Sequence, residues 1–327
     1  MTETGRGRKS HEAHRGHKGF VVFVVFVTFA IAAGARCSAQ APPALPASAP
    51  KFNGTRAFED LRQQVAIGPR PAGSAAIKQT RDYIKKQLTE AGLTPVEQAF
   101  EAQTPTGPVQ MVNIRATLPG QAQGRGRIVI GGHYDTKLIK EFRFVGASDG
   151  ASSAAFLLEM ARALKGRANA LPIELLFLDG EEAVVDWNLP NAKDHTYGSR
   201  YYVDQLKKTG TVKDVRAFIL VDMIGDKSLD IHREGNSTPW LTDEIWAAAK
   251  RLKRPEFHDD TFPVEDDHLE FLEAGIPSVD LIDLQNYPPW HTADDTLDKV
   301  AASSLQFVGD VLLAALPAIE SRLTANR

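Results

Sequence analysis

RIVIGGHYD (127–135) and IELLFLDGEE (173–182) are apolar runs that end in titratable side chains. Each is short, rich in Ile, Leu or Val and bounded by glycine, the pattern of a strand buried on both faces. The first hands over to His133, Tyr134 and Asp135, the second to Glu181 and Glu182. AFILVDMIG (217–225) ends in the same way on Asp222. SVDLIDL (278–284) is followed by a loop that reaches Trp290, His291 and Thr292. Strands are predicted over Val109–Leu118, Arg127–Gly132, Ile173–Leu178, Ala217–Val221, Leu229–Ile231 and Ser278–Ile282. Helical periodicity is read over Arg56–Ile67, Ser74–Ala91, Ala151–Leu164, Gly198–Lys208, Pro239–Leu252 and Leu297–Leu323. Strands alternating with helices predict an α/β fold: a single domain with a mixed, mostly parallel sheet covered by helices on both faces. Ligands bind such sheets at the carboxyl ends of the strands, which is where these side chains fall.

The 327 residues are 43% hydrophobic, enough for one large core, and the formal net charge of −3 gives no basic excess that would suit nucleic acid. Charge is uneven at the start. Arg6, Arg8, Lys9, Arg15 and Lys18 precede the uncharged run FVVFVVFVTFAIAAGA (20–35), which is followed by small residues. That order predicts a signal peptide over 1–39 and export to the periplasm or medium; an uncleaved anchor at 20–35 is the alternative, although the run is short for a bilayer span. Arg36 before Cys37 does not suit a lipidation site. Cys37 is the only cysteine, so the fold stands without an intrachain disulfide. QAPPALPASAP, within a linker at 40–51, leaves 52–327 as the folded domain.

Taken singly, His133 reads as a turn residue, Asp149 as the cap of the helix near Ala151, Glu181 and Glu182 as a solvated turn, and Asp222 as a polar strand end. Neighbouring strands would bring them together, and carboxylates that close repel one another unless a cation neutralises them. Oxygen and nitrogen donors with an open position suit zinc. Asp135 is spaced to orient His133. Adjacent glutamates can divide the work, one binding metal and the other carrying protons.

HYD (133–135), ASDG (147–150), DGEEA (179–183), DMIG (222–225) and His291 resemble the zinc aminopeptidases of family M28 over almost the whole chain after the linker. The resemblance implies a three-layer, zinc exopeptidase-like fold. For a two-zinc aminopeptidase it implies His133 and Asp222 on one metal, Glu182 and His291 on the other, Asp149 between them and Glu181 as base. Within that family the chain resembles the glutaminyl-peptide cyclotransferases, acyltransferases with a single zinc. FVGASDG (144–150), Trp187 five residues after Glu182, YGSR (197–200), Asp266-Asp267-His268 with FLEAGIP (271–277), and Trp290 before His291 carry that likeness. Gln285–Pro289 departs from the animal cyclases.

The narrower resemblance implies zinc on Asp149, Glu182 and His291, Glu181 as proton carrier, Asp222 and Asp266 sharing its proton, and Trp187 and Trp290 walling the substrate pocket. Cyclisation of N-terminal glutamine with release of ammonia is the expected reaction. Hydrolysis of N-terminal residues is the alternative, and an inactive zinc-binding homologue the second. Peptide or protein N-termini are the expected partners of a monomer, with no nucleic acid and no stable membrane partner unless the N-terminal segment is retained. Asp294-Asp295-Thr296 is expected to cap the last helix. His195, His232, His258 and His268 are read as surface or supporting residues.

Overall fold

A computed structural model describes residues 51–122, 124–190 and 193–325; the expected leader and all of the linker but Lys51 lie outside the described residues. The chain opens with α1 (Gly54–Ile67) and α2 (Ala75–Glu90), continues as β1 (Val96–Thr104), β2 (Gly107–Leu118) and β3 (Arg127–His133), and then forms α3 (Ala151–Ala163) and β4 (Ile173–Leu178). There follow α4 (Tyr197–Thr209), β5 (Val215–Asp222), β6 (Ile231–Glu234), α5 (Pro239–Arg251), β7 (Phe257–Phe262), α6 (His268–Glu273), β8 (Ser278–Ile282) and α7 (Ala302–Ala325).

The main sheet has the order β1-β2-β4-β3-β5-β8. β4, β3, β5 and β8 run parallel, while the β1–β2 hairpin is antiparallel and joins β4 antiparallel. The expected mixed, mostly parallel sheet is therefore present, and its four adjacent parallel strands all end on the same edge. Alternation along each strand feeds two cores. Ile128, Ile130, Leu175 and Ile219 pack with Leu61 of α1, Ile84 of α2, Phe156 of α3, Ile245 of α5 and Leu312 of α7. Val129, Leu176, Phe218 and Leu220 face the other way, onto Tyr202 and Leu206 of α4 and Phe271 of α6. Each such side chain, fully buried, contributes roughly 1.5–3 kcal/mol. The period of two in the strands and the helices on both faces are one fact seen from two sides.

α7 is long and apolar enough to cross a membrane by composition, yet it packs on α1, α3 and α5 as a core helix, with Leu305, Val308, Leu312 and Leu316 buried.

Three elements go beyond the sequence reading. β1 buries only Phe100 and Ala102, because a hairpin edge needs few apolar contacts. β7, FHDDTF, is polar and belongs to a separate parallel two-stranded ribbon with β6. α6 has six residues, too few for a helical period to emerge. The last helix is corrected as well. It begins at Ala302 and not at Leu297, because the preceding stretch folds into turns and a bridge between Asp226 and Val300.

Candidate metal centre and active site

Each parallel strand delivers its side chains where it leaves the sheet. β3 ends on His133, which is fully buried. β4 is followed by Gly180, whose positive φ of 72° turns the chain into Glu181 and Glu182. β5 ends on Asp222, with Met223 next to it at φ 50°. The loop after β8 brings in His291, itself at φ 51°. Left-handed backbone at a non-glycine residue costs about 1–3 kcal/mol and is held only where the surroundings over-determine it.

Asp149 does not cap α3: the cap position is Gly150, and no side chain fills the role. Gly150 has φ 80°, and a Cβ there would lie 2.4 Å from the Asp135 carbonyl oxygen, so the turn that aims Asp149 needs glycine. Asp295 fastens this turn. Its carboxylate accepts from the backbone N–H of Ser148 at 2.8 Å and of Asp149 at 3.1 Å, and from the Tyr287 hydroxyl at 2.6 Å. Asp295 is therefore a buried anchor of a ligand loop and not a helix cap; α7 starts seven residues later. Arg70 is the other anchor. Wholly buried, it donates to the carbonyl oxygens of Tyr134 (2.9 Å), Val145 (2.6 Å) and Gly146 (3.0 Å). Burial pushes its guanidinium down to about 10, against the pull of Asp149 and Asp135. Nothing in the periodicity around Arg70 marks it, because its partners are backbone oxygens set by tertiary structure.

Two donor sets share Asp149. In the first, His291 Nε2 lies 3.3 Å from Asp149 Oδ2 and 3.2 Å from Glu182 Oε1. In the second, His133 Nε2 lies 3.1 Å from Asp149 Oδ1 and 3.0 Å from Asp222 Oδ1. Within each set the donor atoms lie within 4.8 Å of one another, close enough to hold an ion. Asp149 Oδ2 is buried and lacks a hydrogen-bond partner, as an oxygen kept for a cation would. Nitrogen and carboxylate donors of this kind suit zinc, so the residues fit the metal. Asp222 Oδ1 is also engaged by Ser153 Oγ at 3.1 Å and the Met223 N–H at 2.8 Å. Asp135 sits 3.4 Å from His133 Nδ1 and accepts from the backbone N–H groups of Glu181 and Glu182 at 3.3 Å each. It thus reaches both the imidazole and the glutamate turn.

Burial, Glu182, Asp266 and Asp267 raise the Glu181 carboxyl well above the usual range, although His133 opposes the shift. Burial, Asp222 and Asp267 raise Asp266 likewise. These groups border a cavity of about 550 Å³ whose wall also includes Trp187, Trp290 and Ile282. Trp187 stacks on His195 with ring centres 3.8 Å apart and donates Nε1–H to Glu265 at 3.1 Å. Trp290 stacks on His291 at 4.4 Å and keeps 45% of its surface exposed. Of the two roles expected for His195 and His268, surface or supporting, burial leaves the supporting one. His268 lies with Nε2 2.9 Å from Glu234 and Nδ1 3.6 Å from Asp280.

Two outcomes follow. Asp295→Ala removes both backbone bonds that hold the Asp149 turn, and zinc affinity is expected to fall about 10–100-fold, checked by competition with a chelating indicator. The second concerns pH. Burial raises Asp179 and Asp267 to about 7 and Asp283 to about 8. A carboxyl whose folded value is raised contributes stability below its unfolded value that disappears as pH rises through the folded one. The Tm of metal-free protein is therefore expected to drop between about pH 4 and 8, and a flat or rising Tm in a thermal scan series would contradict it.

A carboxylate-rich edge on a doubly covered, mostly parallel sheet defines a zinc exopeptidase-like protein. The sequence profile of Peptidase family M28 matches residues 113–316, and the chain belongs to that family. Among its relatives it is 33% identical over 258 residues to a glutaminyl-peptide cyclotransferase-like protein of Bos taurus, covering 69% of this chain and 66% of that one. The chain thus spans just under two thirds of that relative's length. It is 29% identical over 283 residues to the glutaminyl-peptide cyclotransferase of Boiga irregularis, covering 75% of each. Its fold resembles an Acidobacteriales bacterium glutaminyl cyclase with a TM-score of 0.80 and 38% identity, over 87% of this chain and all of that one. It also resembles a leucine aminopeptidase precursor of Bacteroides thetaiotaomicron, with a TM-score of 0.75 and 26% identity, over 82% of this chain and 98% of that one.

Proposed function

We propose that this protein is a glutaminyl-peptide cyclotransferase, an acyltransferase that closes N-terminal glutaminyl residues of peptides or proteins to pyroglutamate and releases ammonia. The observation that carries the reading is Glu181. It is a buried carboxyl of raised pKa, beside but outside the Asp149–Glu182–His291 set and facing Asp266 across a tryptophan-walled cavity.

Asp149, Glu182 and His291 would hold one zinc. Bound there, zinc supplies Lewis acidity to the γ-carbonyl of the glutamine. The α-nitrogen bonds to the γ-carbon, and the bond from that carbon to the side-chain nitrogen breaks. Glu181 takes a proton from the α-amine and gives it to the departing nitrogen, so the carboxyl ends as it began. A raised pKa suits both halves of that exchange. Asp222 and Asp266 steady the proton by sharing it. Trp187 and Trp290 limit water, which would compete with the amine for the carbonyl.

The second reading is a two-zinc aminopeptidase, supported by the His133–Asp149–Asp222 set. The paired assay separates them. Purified protein supplied with zinc is expected to release ammonia from Gln-dipeptides, carry one tightly held zinc per chain and leave amino-acid 4-nitroanilides intact. Cleavage of the anilides without ammonia release, with two zincs, would reverse the order. The basic start and the run at 20–35 support export, to be checked by the N-terminal mass of protein recovered from the periplasm or medium.

A further inference from the structure

Trp187 reaches the cavity wall from the segment between β4 and α4, and three parts of the chain hold it there. Its own segment is closed at the base by Asp194, which is fully buried. One Asp194 oxygen accepts the backbone N–H groups of Val185 and Asp186 at 2.7 and 3.1 Å, and the other accepts the Tyr197 hydroxyl at 2.5 Å. The residues that follow are tied to the glutamate turn. Thr196 N–H donates to the Glu181 carbonyl at 2.8 Å, and Tyr197 N–H to that of Gly180 at 2.7 Å. His195, between Asp194 and Thr196, is thereby fixed relative to Glu181.

The buried His195 imidazole lies flat against the indole of Trp187, with ring centres 3.8 Å and planes 12° apart. Aromatic pairs of this kind are favourable beyond the area they bury. Burial pushes the imidazole down to about 4, against the pull of Glu265, so near neutral pH it meets the indole as an uncharged plate. Glu265, on the segment after β7, accepts the indole Nε1–H on Oε2 at 3.1 Å and brings Oε1 to 3.6 Å from His195 Nε2. A stack fixes the plane of a ring and leaves it free to turn within that plane. A directional hydrogen bond at the ring's edge removes that freedom. His195 is not among the residues that line the cavity, so any effect it has on substrate passes through Trp187.

We infer that His195 and Glu265 are positioning residues, which together hold the Trp187 indole in one orientation at the cavity wall before substrate arrives. A wall already ordered does not have to be ordered when the substrate packs on it. The inference rests on the cyclotransferase reading for what the wall meets, a glutaminyl N-terminus.

The test uses the full chain supplied with zinc. His195→Ala and Glu265→Ala are each expected to raise KM for Gln-dipeptides about three- to tenfold with kcat changed less than about twofold, as when one ordinary contact is lost equally from ground and transition states. His195→Phe keeps a flat ring and Glu265→Gln keeps an acceptor oxygen, so both should hold KM within about twofold of wild type. In a Trp187→Phe background, which lacks the Nε1–H, Glu265→Ala should raise KM no further. The indole N–H resonance of Trp187, one of four tryptophans and assigned by its loss in Trp187→Phe, should exchange with solvent faster in both alanine variants than in wild type. Unchanged KM in either alanine variant, or a rise that Glu265→Ala shows equally after Trp187→Phe, would overturn the inference. A wild type that releases no ammonia would sink the cyclotransferase reading instead. Indole exchange would then decide the brace by itself, and equal rates in wild type and the alanine variants would overturn it.

Discussion

Glu181→Gln is expected to lower kcat by about 10³-fold while the chain keeps its zinc and its Tm. The substitution preserves size and removes the capacity to cycle a proton. Glu181 is the one cavity carboxyl beside both donor sets that belongs to neither. Its shift arises from burial and from Glu182, Asp266 and Asp267, none of which the substitution disturbs. Loss of a buried charge that is already disfavoured should leave the fold intact, or slightly steadier at high pH. KM for Gln-dipeptides is expected to change little, because the loss falls on the reacting step. Elemental analysis beside steady-state kinetics checks the result. A variant that is inactive because its zinc has gone would show that Glu181 binds the metal, and the proton would then fall to Glu182.

Asp149→Asn is expected to abolish metal retention altogether, with affinity down at least about 100-fold and turnover below detection. Asp149 supplies one oxygen to each donor set, Oδ1 toward His133 and Oδ2 toward His291, so its loss disables a one-zinc and a two-zinc centre alike. His291→Ala, by contrast, disables only the set that contains it. The raised value of His291, about 10, comes from Asp149 and Glu182 overcoming burial, so the Asp149→Asn substitution should lower it. Metal content after gel filtration, with circular dichroism to confirm the fold, decides the matter. Full zinc in Asp149→Asn would remove the basis of the metal centre.

The strands that build the site were legible because parallel strands buried on both faces are mostly apolar. Ile173–Leu178 and Ser278–Ile282 match their predicted bounds for that reason. Elements on the periphery were not, since β1 and β7 are stabilised by a neighbour's backbone and carry few apolar residues. The candidate site residues His133, Asp149, Glu181, Glu182, Asp222, Asp266 and His291 do gather in space, as do Trp187 and Trp290 at the cavity wall. The supports that hold them were missed or misread. Arg70 binds carbonyl oxygens, which have no sequence signature, and Asp295 looks like a helix cap until it is brought to Asp149 across a separation of 146 positions.

The order of apolar runs and the residue types that follow them determined the layered architecture and placed the chemistry on one edge, because hydrophobic period and strand polarity are local properties of the chain. Only the tertiary structure decided which carboxylates lie close enough to share an ion, which carry raised pKa values and which merely anchor a loop. Those outcomes depend on distance and burial, and both arise when segments far apart in sequence exclude water from the same small volume.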